Sequence, residues 1–281
     1  FHRPGDSELA RRLRSAVQGE VLFDRASRGR YSTDASIYQI EPVGVLVPQS
    51  HDDVCAAIDI CRDSGVPILP RGGGSSQCGQ TVGAALVIDG SKHLREVVAF
   101  DREAMTVTVE PGIVLDALNG WLRPYGLWFP VDVSTSAQAT LGGMAGNNSC
   151  GSRSIAYGNM VHNVVAAEAL FADGTEGWLG PEGAMQGATP RVRELMHRLH
   201  AIAERELRVA QEGRGVRADL HAQAFASFAP AQRAVEREAV RRQRLEAAAA
   251  LAASQMLTVN NGFPAVLGYI FLDAGDMHHA L

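Results

Sequence analysis

Short strands mixed with helices, an α+β fold rather than a regular doubly wound sheet, are what the sequence predicts. Residues 36–178 are rich in Gly, Val and Ile, and Pro and Gly cut them into short β-type runs. Between two of those runs, Val54, Ile58 and Cys61 recur at helical spacing. Residues 190–255 then change to Ala, Arg, Glu and Gln, a helical composition.

Residues 1–35, with many arginines and turn formers, read as an N-terminal helix followed by an arm. Val43-Gly44-Val45-Leu46-Val47-Pro48 reads as a buried strand, and His51–Asp63 as a helix lying on it. Val66-Pro67-Ile68-Leu69-Pro70 is a second strand, completing a strand–helix–strand unit. Ala84–Asp89 and the alternating Met105–Glu110 are strand-like. Pro111-Gly112 turns the chain into a helix from Ile113 to Tyr125, and Gly126 stands where a left-handed residue ends it. Val164–Phe171 is a further strand, turned back by Ala172-Asp173-Gly174-Thr175.

The chain has 281 residues, 46% apolar and 20% charged, enough for one large domain or two modest ones with a real core. A net charge of -5 argues against binding a nucleic-acid backbone. The arginines between Arg191 and Arg244 are interleaved with acidic residues, as on a solvated helix surface. No apolar run reaches the roughly 18–20 residues of a membrane span, and FHRPGDSELARRLR lacks the apolar core of a signal peptide. A cytoplasmic protein is expected, with association at a membrane surface left open. Four cysteines without a CxxC pair support neither a disulfide framework nor a zinc ribbon. Cys55 and Cys61 are expected to be buried thiols on the helix. Adjacent His278 and His279 would point different ways on a helix, so no metal site is expected.

Two glycine-rich loops hold the chemistry. Pro70–Gln80, PRGGGSSQCGQ, leaves a strand with three consecutive glycines and then small hydroxyl residues. Lacking Cβ atoms, such glycines let successive N–H groups turn toward one point and approach a phosphate or pyrophosphate. A flexible surface loop is the alternative. A P-loop needs GxxxxGK[ST], and the one lysine, Lys92, lies well outside; Gly72–Gln77 also lacks the GxGxxG register. In the second loop, Pro130–Gly151, Thr140 can cap a short helix, and Gly142, Gly143, Ala145 and Gly146 have almost no bulk. Asn147, Asn148 and Ser149 add amides and a hydroxyl for a polar ligand, against the alternative of a close helix crossing. Two such loops in one domain favour the ligand over either alternative.

PRGGGSSQCGQTVG, VEPGIVLDALNGWL, ATLGGMAGNNSCGSRSIAYGNMVHNV and LFADGT follow one another in that order, after the entry RYSTDASIYQIEPVGVLVPQSHDDV. Together they resemble the FAD-binding domain of the vanillyl-alcohol oxidase type (the PCMH fold), nearest the D-lactate, glycolate and D-2-hydroxyglutarate dehydrogenases. The resemblance covers about residues 19–210 and implies a PCMH-type domain of two α/β subdomains over residues 36–212. Through it, Arg71, Gly72, Gly73, Gly74, Ser75, Ser76 and Gln80 match the loop that holds the FAD pyrophosphate. Pro130, Val131 and Asp132 match the segment beside the flavin. Ser136, Thr140, Gly142, Gly143, Asn147, Asn148, Ser149 and Gly151 match the second FAD-contacting loop. Tyr157, Gly158 and Val164 match the turn and strand on the adenine side. Relatives with covalent flavin place His just after the first glycines; Ser75 and Ser76 stand there, so non-covalent FAD is implied.

The implied activity is oxidation of a small D-2-hydroxy acid (lactate, glycolate or 2-hydroxyglutarate) by hydride transfer to flavin N5, with an electron acceptor of unknown identity. A catalytically incomplete flavin-binding fragment and another flavin reductase on the same fold are the alternatives, and no catalytic base can be named. The family's Gly-Ser-Glu-Gly-type motif and its RRxGGYNLD-like stretch do not occur. Residues 213–262 are instead an atypical Ala/Arg-rich helical segment, either an insertion or a frame-altered stretch. Residues 263–281, with a strand at Phe263–Asp273, read as the start of an incomplete α/β cap domain.

Overall fold

A computed structural model describes residues 7–180, 189–199, 201, 202, 204, 205, 270–273, 275 and 276. Ser7 caps α1 (Glu8–Ala16) by accepting from the Ala10 amide at 3.2 Å, satisfying one of the free N–H groups of the first turn. Leu9, Ala10 and Leu13 form its buried face. Strand β1 (Glu20–Leu22) and helix α2 (Arg25–Arg30), capped by Asp24, follow. Next come β2 (Gly44–Val47), α3 (His51–Asp63), β3 (Ile68–Arg71) and β4 (Leu86–Asp89).

The first sheet has the order β1-β2-β4-β3, with β1 antiparallel and the other pairings parallel. β2 and β4 are buried along their whole length, which explains their unbroken apolar runs. Alternate residues serve two cores. Leu46, Leu86 and Ile88 meet Val54, Ala57, Ile58 and Cys61 of α3 and the apolar face of α1. Val45, Val47 and Val87 meet Leu69 and Ala85 on the other side. Each fully buried aliphatic side chain contributes about 1.5–3 kcal/mol over exposure. Leu9, Leu13 and Phe23 share the α3 core, so the helix and arm expected over residues 1–35 are packed into the same body. The strand–helix–strand unit also differs in detail, because β4 lies between its two strands.

The second sheet is antiparallel throughout, in the order β5-β6-β10-β8-β9. Its strands are β5 (Val97–Asp101), β6 (Thr106–Val109), β8 (Val164–Leu170), β9 (Glu176–Leu179) and β10 (Ile270–Asp273). Helix α4 (Leu115–Leu122) passes into a 3-10 turn at Arg123–Tyr125, one turn short of the continuous helix expected. Gly126, at φ +74°, ends it as predicted. β7 (Leu127–Trp128) pairs with β11 (Gly275–Asp276), and the short helices α5 (Leu141–Gly146), α6 (Ser154–Tyr157) and α7 (Met160–Asn163) follow. Leu115, Leu118, Leu122, Phe129, Val131, Leu141 and Met144 pack with Val107 and Val109 into the core of this half.

The expected cap strand is placed differently. Its described residues, Ile270–Asp273, lie between β6 and β8 as an inner strand of this sheet. The helical segment expected at 213–262 lies outside the described residues. Among those described, no helix is long and apolar enough to cross a membrane.

Candidate functional site

The first glycine loop leaves the carboxyl end of β3, where open α/β sheets place their ligands. β3 and β4 are parallel neighbours, so the chain must cross from the end of one to the start of the other, and it does so without a helix. Arg71, the last residue of β3, fixes this crossing. Its guanidinium donates to the carbonyls of Tyr31 (3.3 Å), Thr33 (2.8 Å) and Thr81 (3.2 Å) and lies 5.2 Å from the Tyr31 ring centroid. Burial, aided by the Asp89 carboxylate, pushes the Tyr31 hydroxyl well above its ordinary range, and it donates to Asp89 at 2.7 Å. The Ala35 amide donates to the Gly74 carbonyl at 3.1 Å, and Thr81 Oγ1 donates to Asp34 at 3.0 Å. The arm at residues 31–36 thus straps the loop in place.

The loop's own donors are left over. None of the six backbone N–H groups of Gly72–Gln77 donates to an acceptor among the described residues. Gly74 has φ +64°, a left-handed turn that suits glycine and helps successive N–H groups converge. The Ser76 hydroxyl donates to the Gln80 side chain and accepts from the Cys78 amide at 3.3 Å.

The second loop forms the facing wall. Thr140, 2% exposed, caps α5 and bridges to Val114. A Cβ on Gly72 would lie 2.0 Å from Thr140 Oγ1, and one on Gly73 would lie 2.1 Å from the Gln138 carbonyl oxygen. The two loops therefore meet nearly backbone to backbone. Gly142 packs on Pro111, whereas a Cβ on Gly143 would meet Thr140 Oγ1 at 3.2 Å. The Ser136 carbonyl accepts from the Asp116 amide at 3.2 Å, tying this loop to α4.

Pro130 and Val131 are buried, so their side chains anchor the segment in the core and Asp132 turns toward the second loop. Asp132 accepts from Ser152 Oγ (2.8 Å), the Arg153 amide (3.1 Å) and Arg153 Nε (3.0 Å). Burial works to raise this carboxyl, but the bonds from Ser152 and Arg153 outweigh it and hold it below the usual carboxylate range. Gly151 sits directly on Asp132, and Arg153 lies 4.4 Å from the Trp128 ring centroid. Asn147 ends α5. Asn148, at φ +45°, accepts from the Val161 amide at 3.0 Å, while the Ser149 carbonyl accepts from the Met160 amide at the same distance. Tyr157, Gly158 and the start of β8 at Val164 make a separate turn. Asn163 braces it with bonds to the Tyr157 and Asn159 carbonyls, and His162 accepts from the Asn159 amide.

Gly72 is thus brought to Thr140, Gly73 to Gln138, and Asp132 to Gly151. Gly158 and Val164 make no hydrogen bond to the first loop among the described residues. The sequence reading missed Gln138, Tyr31, Asp34 and Arg153. All four act through backbone proximity or pairing across the fold, for which the local sequence holds no signal.

A family profile described as FAD binding domain matches residues 42–180. A D-2-hydroxyglutarate dehydrogenase of Pantoea ananatis is 36% identical over 159 residues, covering 56% of this chain and 16% of that protein. A glycolate oxidase subunit of Bacillus subtilis is 36% identical over 166 residues, covering 56% of this chain and 34% of its own length. The chain therefore spans about a third or less of these curated relatives. A solved alkyldihydroxyacetonephosphate synthase, 16% identical, aligns over 98% of this chain and 42% of its own with a TM-score of 0.63, a likeness of fold.

Proposed function

From the match of residues 42–180 to the FAD binding domain profile, we propose that the chain is a PCMH-type FAD-binding domain and binds FAD non-covalently as part of an oxidoreductase for a small D-2-hydroxy acid. The observation that carries this reading is the run of six N–H groups at Gly72–Gln77 that donate to no acceptor among the described residues, on a loop pressed against a second backbone. An anion such as a pyrophosphate satisfies those donors together. Arg71, its N–H groups engaged by three carbonyls, adds positive charge behind the loop rather than a direct bond. Ser75, Ser76 and Gln80 supply side-chain polar groups at the rim, and Gly142, Gly143, Asn147 and Asn148 line the opposite approach. Pro130–Asp132 and Ser149–Gly151 present a fixed strip for a flat ring. Tyr157, Gly158 and Val164 hold the adenine side.

When bound, FAD supplies the hydride acceptor at flavin N5. The substrate class is supported by the relatives named D-2-hydroxyglutarate dehydrogenase and glycolate oxidase subunit. Lactate, glycolate and 2-hydroxyglutarate are the candidates, with an electron acceptor of unassigned chemistry. No residue of the 281 is assigned as the base.

Anaerobic addition of each acid to the FAD-loaded chain, followed at the visible flavin band, tests the division of labour. Slow or absent bleaching is expected, because the 281 residues contain no Gly-Ser-Glu-Gly-type motif beside the cofactor loops. Rapid bleaching by any one acid would place a complete acid–base site within these residues.

A further inference from the structure

On the flank of α3, where Cys55 packs against the edge of the first core, His51 and Cys55 stand one helical turn apart. Glu176, the first residue of β9, meets them from across the fold. Cys55 Sγ lies 3.6 Å from His51 Nδ1, 3.9 Å from His51 Nε2 and 3.6 Å from Glu176 Oε1. His51 Nε2 lies 3.8 Å from the same carboxylate oxygen. We propose that these three side chains bind one zinc ion, which pins α3 of the first sheet to the edge strand of the second.

The geometry is that of one face of a coordination tetrahedron. Zn–S of about 2.3 Å and Zn–N and Zn–O of about 2.0–2.2 Å imply ligand–ligand edges of roughly 3.3–3.6 Å. The observed edges exceed these by a few tenths of an ångström at most, so contraction around an ion needs only small side-chain rotations. The donor set of one thiolate, one imidazole and one carboxylate selects zinc over magnesium or calcium, which take oxygen ligands. The backbone is already held in register, because Arg62 Nη1 on α3 donates to the Asp173 carbonyl at 2.9 Å in the β8–β9 turn. His51 and Glu176 are 36% and 49% exposed, which leaves a fourth position open to water.

Charge also fits. A thiolate and a carboxylate neutralise the dication, and the carboxylates of Asp52 and Asp59 act on the same sulfur. They offset the unfavourable positive end of α3 at His51. Without metal, burial and the Glu176 carboxylate push the Cys55 thiol up to about 11, so it stands protonated as a donor to Glu176. Metal entry forms an S–Zn bond, breaks the S–H bond and releases that proton to solvent, with no change of oxidation state. The sequence reading expected no metal site because it found no CxxC pair and only an adjacent, diverging His278 and His279. Here the third ligand comes from 121 positions away.

The test uses the chelator-treated 281-residue chain, titrated with zinc chloride against a chromogenic zinc indicator and, separately, with cobalt(II). About one zinc per chain is expected, together with a thiolate-to-cobalt charge-transfer band. Loss of an outer partner of a metal ligand alone costs about 10–100-fold in affinity. Cys55→Ser and Glu176→Gln should therefore each weaken zinc binding by at least about 100-fold. The double variant Cys78→Ser/Cys150→Ser, which removes the two exposed thiols, should bind as the parent does. Zinc should raise the melting temperature only where the triad is intact. Unchanged binding in Cys55→Ser, loss of binding in the Cys78/Cys150 variant, or cobalt binding without the thiolate band would each overturn the proposal. No residue of the triad belongs to the glycine loops, so zinc binding and FAD binding are read separately and either can fail without the other.

Discussion

Gly73→Val is expected to weaken FAD binding by at least about 100-fold, which is roughly 2.7 kcal/mol. The reason is a contact already at its limit. A Cβ at this position would lie 2.1 Å from the Gln138 carbonyl oxygen and 2.9 Å from its carbon, both main-chain atoms with no rotamer to yield. A β-branched residue adds two further carbons to that collision. The first loop must then move off the second, and the six N–H groups of Gly72–Gln77 lose the arrangement that suits an anion. The core should survive, since Gly73 is exposed and outside the three buried clusters. A correctly folded variant with parental FAD affinity, measured by fluorescence titration of the apoprotein, would refute the role of this loop. Gly143→Val should be milder, because its added Cβ meets a side-chain oxygen at 3.2 Å rather than main-chain atoms at 2.1 and 2.9 Å.

The second large effect is on stability. Phe129 is fully buried, among the largest such side chains, and its amide donates to Asn119 Oδ1 at 2.7 Å. It packs with Leu115, Leu118, Leu122 and Val131, so it holds the segment leading to Asp132 against α4. Phe129→Ala removes the ring and leaves a cavity the neighbours close only in part, at a cost of about 3–5 kcal/mol. That corresponds to a fall of roughly 6–20 °C in melting temperature for a domain of this size. Thermal unfolding followed by far-UV circular dichroism reads it directly. A fall of one or two degrees would mean that the packing around Phe129 is not what holds this segment.

Much of the fold was legible because its central elements are locally determined. β2 and β4 are apolar throughout, α3 carries its own cap at Ser50 and its own apolar stripe, and Gly126 marks the end of the 3-10 turn. β5 escaped detection because it is only half-buried and mixes Val98 with Asp101 on exposed positions. β7 has two residues, too few to show any period. The place of β10 was invisible for another reason: its pairing with β6 and β8 joins residues far apart in the chain, and no local pattern distinguishes an inner strand of this sheet from the opening of a new layer. The candidate site divides in the same way. Loop composition pointed to Gly72–Gly74 and Gly142–Gly143, but the contact of Gly73 with Gln138 and the engagement of Arg71 by three carbonyls depend on tertiary placement.

The central claim is that the paired loops hold FAD without a covalent bond. Titration of the flavin-free chain with FAD, followed by acid precipitation and a spectrum of the supernatant, tests it most directly. The account predicts saturation at about one FAD per chain and recovery of all the flavin in the supernatant. Failure to take up FAD would contradict the binding claim, and yellow colour remaining in the washed pellet would contradict the non-covalent one.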